Sequence, residues 1–100
     1  MAYGIVLEFP DGTEAQYRAT IAAVHPADGG LPDGQSLHVA GGTGDGWVIV
    51  LIHDSAESWA EFRDSTLMPQ LRTQSDDGFA SAPRETTFQV RALKRLAAGG

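Results

Sequence analysis

Residues 38–62, HVAGGTGDGWVIVLIHDSAESWAEF, decide the fold. Residues 36–40 and 47–53 are typical of strands and flank a glycine-rich turn, where Gly44 and Asp45 suit the positive φ values of a hairpin. The second strand is apolar at six of its seven positions, as expected for a central strand covered on both faces. This stretch therefore predicts an antiparallel hairpin, followed directly by a helix.

Two helices are predicted, one before the hairpin and one after it. Each begins with the spacing of a capping box, at Thr13 and at Asp54. The first helix is expected to run to about Val24 and the second to about Leu71. Because proline restricts the residue before it and cannot donate an interior hydrogen bond, we expect a kink or a break at Pro69.

The remaining segments complete an α+β chain. Residues 3–9 and part of 84–93 are predicted strands, whereas 25–35 and 74–83 are predicted loops. The order of elements is βαββαβ, the ferredoxin-like arrangement with an antiparallel sheet. Two helices cover only one face of such a sheet, yet the first and third strands are apolar on both faces. We therefore expect the open face to pack against a second copy, giving a homodimer.

Composition excludes several classes of protein. The chain has 100 residues, a formal net charge of −6 and no cysteine, so disulfides and thiolate chemistry are absent. We expect one domain over residues 1–95 and a flexible tail over 96–100. Nucleic acid is not an expected partner because the charge is acidic. With no apolar run of about 20 residues, no membrane association is expected, and the predicted location is cytoplasmic.

Three stretches together resemble a known superfamily. They are LEFPDGTEAQY (7–17), the hairpin and helix of 38–62, and LMPQL (67–71), which resemble small members of the dimeric α+β-barrel superfamily, antibiotic-biosynthesis monooxygenases among them. The resemblance covers nearly the whole chain and implies two sheets packed face to face, with a pocket between the sheet and the helices of each protomer. Members include cofactor-independent monooxygenases, haem-degrading enzymes, lactone isomerases, polyketide cyclases and proteins without established activity. The resemblance thus implies the fold more than the chemistry.

No cofactor or metal is expected. In haem-degrading members the iron ligand is a histidine of the second helix, and 55–71 contains none. The chain has no asparagine, which departs from the asparagine-dependent monooxygenases but is compatible with a site built on His and Trp. The spacing of His25, His38 and His53 matches no metal-ligand signature.

Two histidines are the predicted catalytic residues. A Gly44-Asp45 turn pairs His38 with Leu51, which places His53 diagonally from His38 on one face, about 5–8 Å away. Both imidazoles could then contact one ligand or share a water. The expectation depends on the register, because a bulge among the glycines would send the two rings to opposite faces. In this interpretation His38 is a general base and His53 its partner.

The predicted substrate-binding residues are Tyr17, Trp47, Trp59, Phe62 and Arg63. The aromatic rings would shape an apolar pocket and the guanidinium would hold a carboxylate or phenolate. Each has a structural alternative, since aromatic residues at helical spacing usually fill the core and Arg63 could pair with Glu61 or Asp64 in solvent.

The leading interpretation is a homodimer that binds a small apolar, aromatic or polyketide-like molecule between sheet and helices. If it is an enzyme, it would be a cofactor-independent monooxygenase or a cyclase or isomerase. The alternative is a non-catalytic dimeric binding or assembly module with structural histidines. A cavity of several hundred Å³ reached by His38 would favour the enzyme, and a pocket filled by side chains would favour the module.

Overall fold

Four strands and two helical regions make up the computed structural model, which describes residues 2–24, 30–73, 78–79 and 82–94. In chain order the elements are β1 (Tyr3–Pro10), α1 (Glu14–Val24), β2 (Gln35–Thr43), β3 (Gly46–His53), α2 (Ala56–Phe62), a π-helical segment (Arg63–Leu67), α3 (Met68–Thr73) and β4 (Arg84–Gln89). The predicted α+β class and antiparallel sheet are confirmed. The predicted tail, 96–100, and residues 25–29, 74–77 and 80–81 of the two predicted loops lie outside the described residues.

The four strands form one antiparallel sheet in the order β2-β3-β1-β4, which is compatible with a ferredoxin-like fold. The predicted hairpin register is confirmed, because His38 pairs with Leu51 and Ala40 with Ile49. The register shifts only at the far end of the hairpin, between Gln35 and Leu37. The glycine-rich end is therefore regular, and both histidines lie on the same face. The positive φ values expected at Gly44 and Asp45 are wrong, because Asp11 and Gly34 are the described residues with positive φ.

The helices pack on one side of the sheet, which we call the helix face. Alternate residues of β1, namely Ile5, Leu7 and Phe9, are at most 3% exposed there. They belong to one cluster with residues from β3, the second helical region and Phe79. Apolar side chains at every second strand position thus meet the apolar stripes of the helices, which is the main source of stability.

The capping-box prediction is right for the first helix and one residue out for the second. Thr13 and Gln16 exchange the two reciprocal hydrogen bonds of a capping box. Before α2 the N-cap is Ser55, whose hydroxyl accepts a hydrogen bond from the Ser58 backbone, and not Asp54. Asp54 and Ser55 are both good capping residues, so the sequence alone does not choose between them.

The second helical region passes through Pro69 instead of breaking there. The turn before the proline is π-helical over Arg63–Leu67, and the backbone N–H of Met68 reaches back five residues to the carbonyl of Arg63. A proline removes the hydrogen bond to the residue four positions earlier, Ser65, and its ring crowds that carbonyl. The wider π turn accommodates this loss, so the irregularity precedes the proline.

The opposite side of the sheet, which we call the outer face, carries mainly apolar side chains. Its three rows of cross-strand neighbours are Leu37, Ile52, Gly4 and Phe88, then Val39, Val50, Val6 and Thr86, then Gly41, Val48, Glu8 and Arg84. Val39 and Phe88 are 52% and 45% exposed. Among the described residues, the buried side chains of the helices lie on the helix face. On the outer face Ile52 is 5% exposed, and the other apolar side chains are partly or largely exposed.

Candidate functional site

A chain of five polar side chains crosses the helix face from α1 to α2. Its members, in spatial order, are Tyr17, His38, Gln35, His53 and Ser58, each within hydrogen-bonding distance of the next. Polar groups in a core are stable when they satisfy one another, and this chain does so among apolar neighbours. The two predicted catalytic histidines are therefore joined through a side chain and not through direct contact.

The pair at the α1 end combines a phenol with an imidazole. The Tyr17 hydroxyl lies 2.6 Å from His38 Nε2, and both side chains are half-buried. Burial raises the pKa of Tyr17, although the charge of Arg18 acts in the opposite direction. The phenol thus stays protonated at neutral pH and can donate to the imidazole, or to a ligand.

Gln35 joins the two histidines because of the bulge at the start of β2. Its Oε1 lies 3.2 Å from His38 Nδ1 and its Nε2 lies 3.2 Å from His53 Nε2. Residues three apart in a regular strand point to opposite faces, but the shift between Gln35 and Leu37 brings this amide onto the face of His38. The amide is 7% exposed, and its hydrogen bonds offset the cost of burying it.

His53 is the most enclosed member of the chain, with no exposed surface. Its ring packs against the rings of Trp59 and Phe62, with centroids 5.5 and 5.6 Å away, and its Nδ1 is 3.0 Å from Ser58 Oγ. Burial lowers the pKa of His53, while the carboxylate of Asp54 acts to raise it. The imidazole is therefore held neutral in this core.

Ser58 reaches His53 because Gly34 leaves room for its hydroxyl. A Cβ atom added at Gly34 would lie 2.1 Å from Ser58 Oγ, and Gly34 has a φ of +84°. The Gly34 carbonyl also accepts a hydrogen bond of 2.8 Å from the Asp54 backbone. The turn before β2 is thus fastened directly to the end of β3.

Trp47 lies beside the α1 end of the chain. Its ring centroid is 5.1 Å from that of Tyr17, and its indole Nε1 is buried without a hydrogen-bond partner among the described residues. An unpaired buried donor is costly, so this group is available to an acceptor that enters the site.

Trp59 and Arg63 meet the same carboxylate on β4. The indole of Trp59 donates to Glu85 at 3.1 Å, and the Arg63 guanidinium lies 3.3 Å from that carboxylate and 2.9 Å from Asp64. The hydrogen bond to Asp64 raises the pKa of Arg63. The alternative pairing of Arg63 with Asp64 is therefore present, and Arg63 is also joined to the sheet.

A cleft between α1, the second helical region and the sheet opens beside His38. The described residues that line it are Leu7, Phe9, Thr20, Ile21, Gln35, His38, Ile49, Leu51, Phe62 and Leu67. Its volume is about 20 Å³, room for one water molecule. Phe62 is the one predicted substrate-binding residue among them. An aromatic ligand would enter only if the helices moved outward.

A larger cavity, of about 210 Å³, lies at the hairpin-turn end of the sheet. Its lining residues are Glu8, Phe9, Pro10, Asp11, Thr43, Asp45, Gly46, Trp47 and Arg84. Trp47 is the only predicted site residue in this lining, which is otherwise dominated by charged side chains and turn backbone.

Two kinds of site are not found in the described part of the chain. No group of three or more potential metal-ligating side chains lies together among those residues. No described helix is long and apolar enough to cross a membrane. His25 lies outside the described residues.

The chain was compared with known proteins in two ways. No protein-family model matches it, and no curated protein matches it.

Sequence reasoning missed Gln35 and Ser58. The sequence predicts a loop at Gln35, and nothing in the local sequence signals a bulge that would turn its side chain inward. Ser58 lies one position after the expected capping box, where a serine is ordinarily an exposed helix residue. The available signal is spacing alone, because Ser58 comes five residues after His53, in the first turn of the helix.

Proposed function

We propose that this protein is a homodimer of the dimeric α+β-barrel type that binds a small, largely apolar molecule at the cleft beside His38. The observation that carries the proposal is the 2.6 Å contact between Tyr17 and His38 at the edge of an apolar cleft. An acid and a base held together in a low-dielectric setting are suited to proton transfer. The order of the four strands supports the fold assignment.

The proposed chemistry is proton transfer centred on His38. Its Nε2 accepts the hydrogen bond of the Tyr17 phenol and would take a proton from an acidic C–H or O–H of the ligand, while Gln35 holds the other ring nitrogen. Enolisation of this kind serves a cyclase or isomerase, and deprotonation of a phenol is the corresponding step for a cofactor-independent monooxygenase. Of these classes we favour the cyclase or isomerase, since it requires nothing beyond a base and an acid.

In this proposal the outer face is the dimer interface. Seven apolar side chains lie together on it, and a second copy is the occupant that the charges favour. Glu8 and Arg84 are neighbours in one row at the edge of the face. A two-fold axis can set each charge against the opposite charge of the second copy, as a self-complementary interface requires.

Binding can be tested with 2-naphthol, a small phenolic probe, by following backbone amide signals in NMR spectra of the full chain. The proposal expects saturable shifts concentrated at Tyr17, Thr20, His38 and Leu67, and at least a tenfold weaker affinity in Tyr17→Phe. Tyr3→Phe is the matched control, because Tyr3 donates to Thr87 elsewhere on the helix face. Shifts that are absent, or that lie only on the outer face, would contradict the proposal.

The second candidate function is a non-catalytic dimeric module in which the histidines are structural. The volume of about 20 Å³ beside His38 favours it, as does the complete burial of His53 with both ring nitrogens near partners. Under this alternative, His38→Gln lowers stability and no cleft signal responds to 2-naphthol. The same titration therefore distinguishes the two candidates.

A further inference from the structure

Gln35 connects two histidines through an amide whose ends are chemically different. Its oxygen only accepts hydrogen bonds and its nitrogen only donates them, whereas a neutral imidazole has one nitrogen of each kind. The orientation of the amide therefore determines which ring nitrogens carry protons. Each orientation of Gln35 selects one proton arrangement on both rings.

The orientation of the Gln35 amide in the structure gives all the hydrogen bonds between Tyr17 and Ser58 the same donor-to-acceptor direction. Gln35 Oε1 faces His38 Nδ1, so that nitrogen carries the proton and His38 Nε2 is left as the acceptor for Tyr17. Gln35 Nε2 faces His53 Nε2, so the proton of His53 is on Nδ1, from which it is donated to Ser58. Every hydrogen bond then runs from Tyr17 towards Ser58.

Turning the amide by half a rotation reverses the whole chain. His38 would then carry its proton on Nε2 and donate to Tyr17, and His53 would accept from Ser58. A mixed arrangement, with one ring reversed and the other not, leaves two donors or two acceptors facing each other in a buried site, at a cost of a lost hydrogen bond or more. The two tautomers are thus expected to change together.

We propose that Gln35 is a positioning residue that couples the tautomers of His38 and His53, so that Ser58 influences whether the His38 Nε2 that faces Tyr17 carries a proton. The role of His38 as a base rests on the proposed function, but the coupling does not, because it exists without ligand. His38 can accept a proton at Nε2 in one state of the chain and not in the other. Ser58 acts from the far end of the chain, three hydrogen bonds away from His38.

Ser58 is suited to this role because its position is fixed from two sides. Its backbone N–H donates to Ser55 in the first turn of α2, and its hydroxyl lies in the space that a side chain at residue 34 would fill. The hydroxyl can donate as well as accept, so it is compatible with both states. Without the hydroxyl, the present state leaves the Nδ1–H of His53 buried and unpaired, whereas the reversed state leaves only a bare ring nitrogen, so its removal shifts the balance towards the reversed state.

The test is the tautomeric state of each histidine, read from the ¹⁵N chemical shifts of the two ring nitrogens in the ligand-free protein above pH 7. Assignments come from single His→Gln variants. The wild type is expected to have both protons on Nδ1. In Ser58→Ala the Nδ1–H of His53 loses its acceptor, so the ratio of the two His38 tautomers should change by about fivefold, the effect of one hydrogen bond.

Two further variants make the result specific. Ser65→Ala is the matched control, because Ser65 bonds to the Glu61 carbonyl in the same helical region and is outside the chain. Gln35→Glu replaces the donor by a second acceptor, so His53 should move its proton to Nε2 while His38 keeps its proton on Nδ1. That pattern, with the His53 proton moved and the His38 proton unmoved, is the one expected if the side chain of residue 35 sets the tautomers of both rings.

The coupling would be overturned if Ser58→Ala changed the tautomer ratio of His53 and left that of His38 as in the wild type. It would also be overturned if the His53 proton stayed on Nδ1 in Gln35→Glu. Because no ligand is present, a failure of 2-naphthol binding would contradict the proposed function and leave this measurement intact. If Ser58→Ala folds poorly, Ser58→Cys keeps the volume while weakening the acceptor, and a smaller shift in the same direction is expected.

Discussion

The two faces of the sheet, built from alternate residues of the same strands, differ in what covers them and in where their polar groups lie. On the helix face, apolar residues are covered by the chain's own helices, and a polar chain runs through them with every member near a partner. On the outer face, side chains of the same strands are apolar and partly exposed. In this sheet, therefore, the buried face is not the less polar one. In the proposed function, the helix face supplies the acid and the base, and the outer face supplies the dimer interface.

The largest expected effect comes from the covered face. Leu51→Ala removes a side chain that is 3% exposed, and it should lower the free energy of unfolding by about 3 kcal/mol at any protein concentration, because a cavity remains in the core. Urea denaturation measures this. The matched control is Val50→Ala, one residue away on the outer face. An equal loss for Val50→Ala in dilute protein would contradict the distinction between the faces.

The next effect tests whether the outer face joins two copies. Val50→Lys places a charge in the middle of the apolar rows and should weaken the dimer at least about 100-fold, since burying an unpaired ammonium is costly. Sedimentation equilibrium at micromolar concentration measures the change. Leu31→Lys, at an apolar residue 40% exposed elsewhere, should leave the dimer intact. A wild-type protein that is monomeric at this concentration would sink the dimer proposal.

A smaller effect concerns pH and the covered face. Because burial lowers the pKa of His53 below its usual 6.5, the unfolded chain takes up a proton at higher pH than the folded one. Stability from this group is present above pH 6.5 and decreases as the pH falls towards the lowered pKa. The groups that face the ring are Gln35, Ser58 and the nearby Asp54.

Urea denaturation from pH 7.5 to 4.5 measures this dependence. His53→Gln keeps a hydrogen-bonding side chain but does not titrate, so the difference between wild type and variant isolates His53 from the other histidines. The wild type should lose stability more steeply than the variant below pH 6.5. Parallel curves would show that His53 is not held neutral by burial.

The smallest expected effect lies at the margin of the helix face. Arg63→Ala breaks contacts with Asp64 and Glu85, yet its side chain is 32% exposed, so the loss should be about 0.5 kcal/mol and decrease with added salt. Arg18→Ala, which breaks an exposed pair within α1, is the control and should cost no more. A loss above 2 kcal/mol would mean that this pair, like the polar chain, is part of the core.

The sequence predicts the hairpin, its register and the common face of the two histidines, because turn chemistry and strand alternation are local. It does not predict Gln35, because a bulge depends on how β2 meets β3, and that is a tertiary matter. Local rules also place the N-cap of α2 at Asp54, one residue before its actual position at Ser55. At Pro69 the local rules predict that the helix is disturbed, but they do not predict the π turn. Either a break or a widened turn can accommodate the hydrogen bond that proline cannot make.

Glycine is required at Gly34 for a reason that does not apply at Gly41 in the hairpin. At Gly41 an added Cβ atom would meet nothing within 4 Å, so a library of substitutions there should largely survive selection for folding. At Gly34 the same change meets the Ser58 hydroxyl and a left-handed backbone at once. One missing methyl group thus makes the histidine chain possible, and an engineer who stabilises this protein by replacing glycines should begin at Gly41 and leave Gly34 alone.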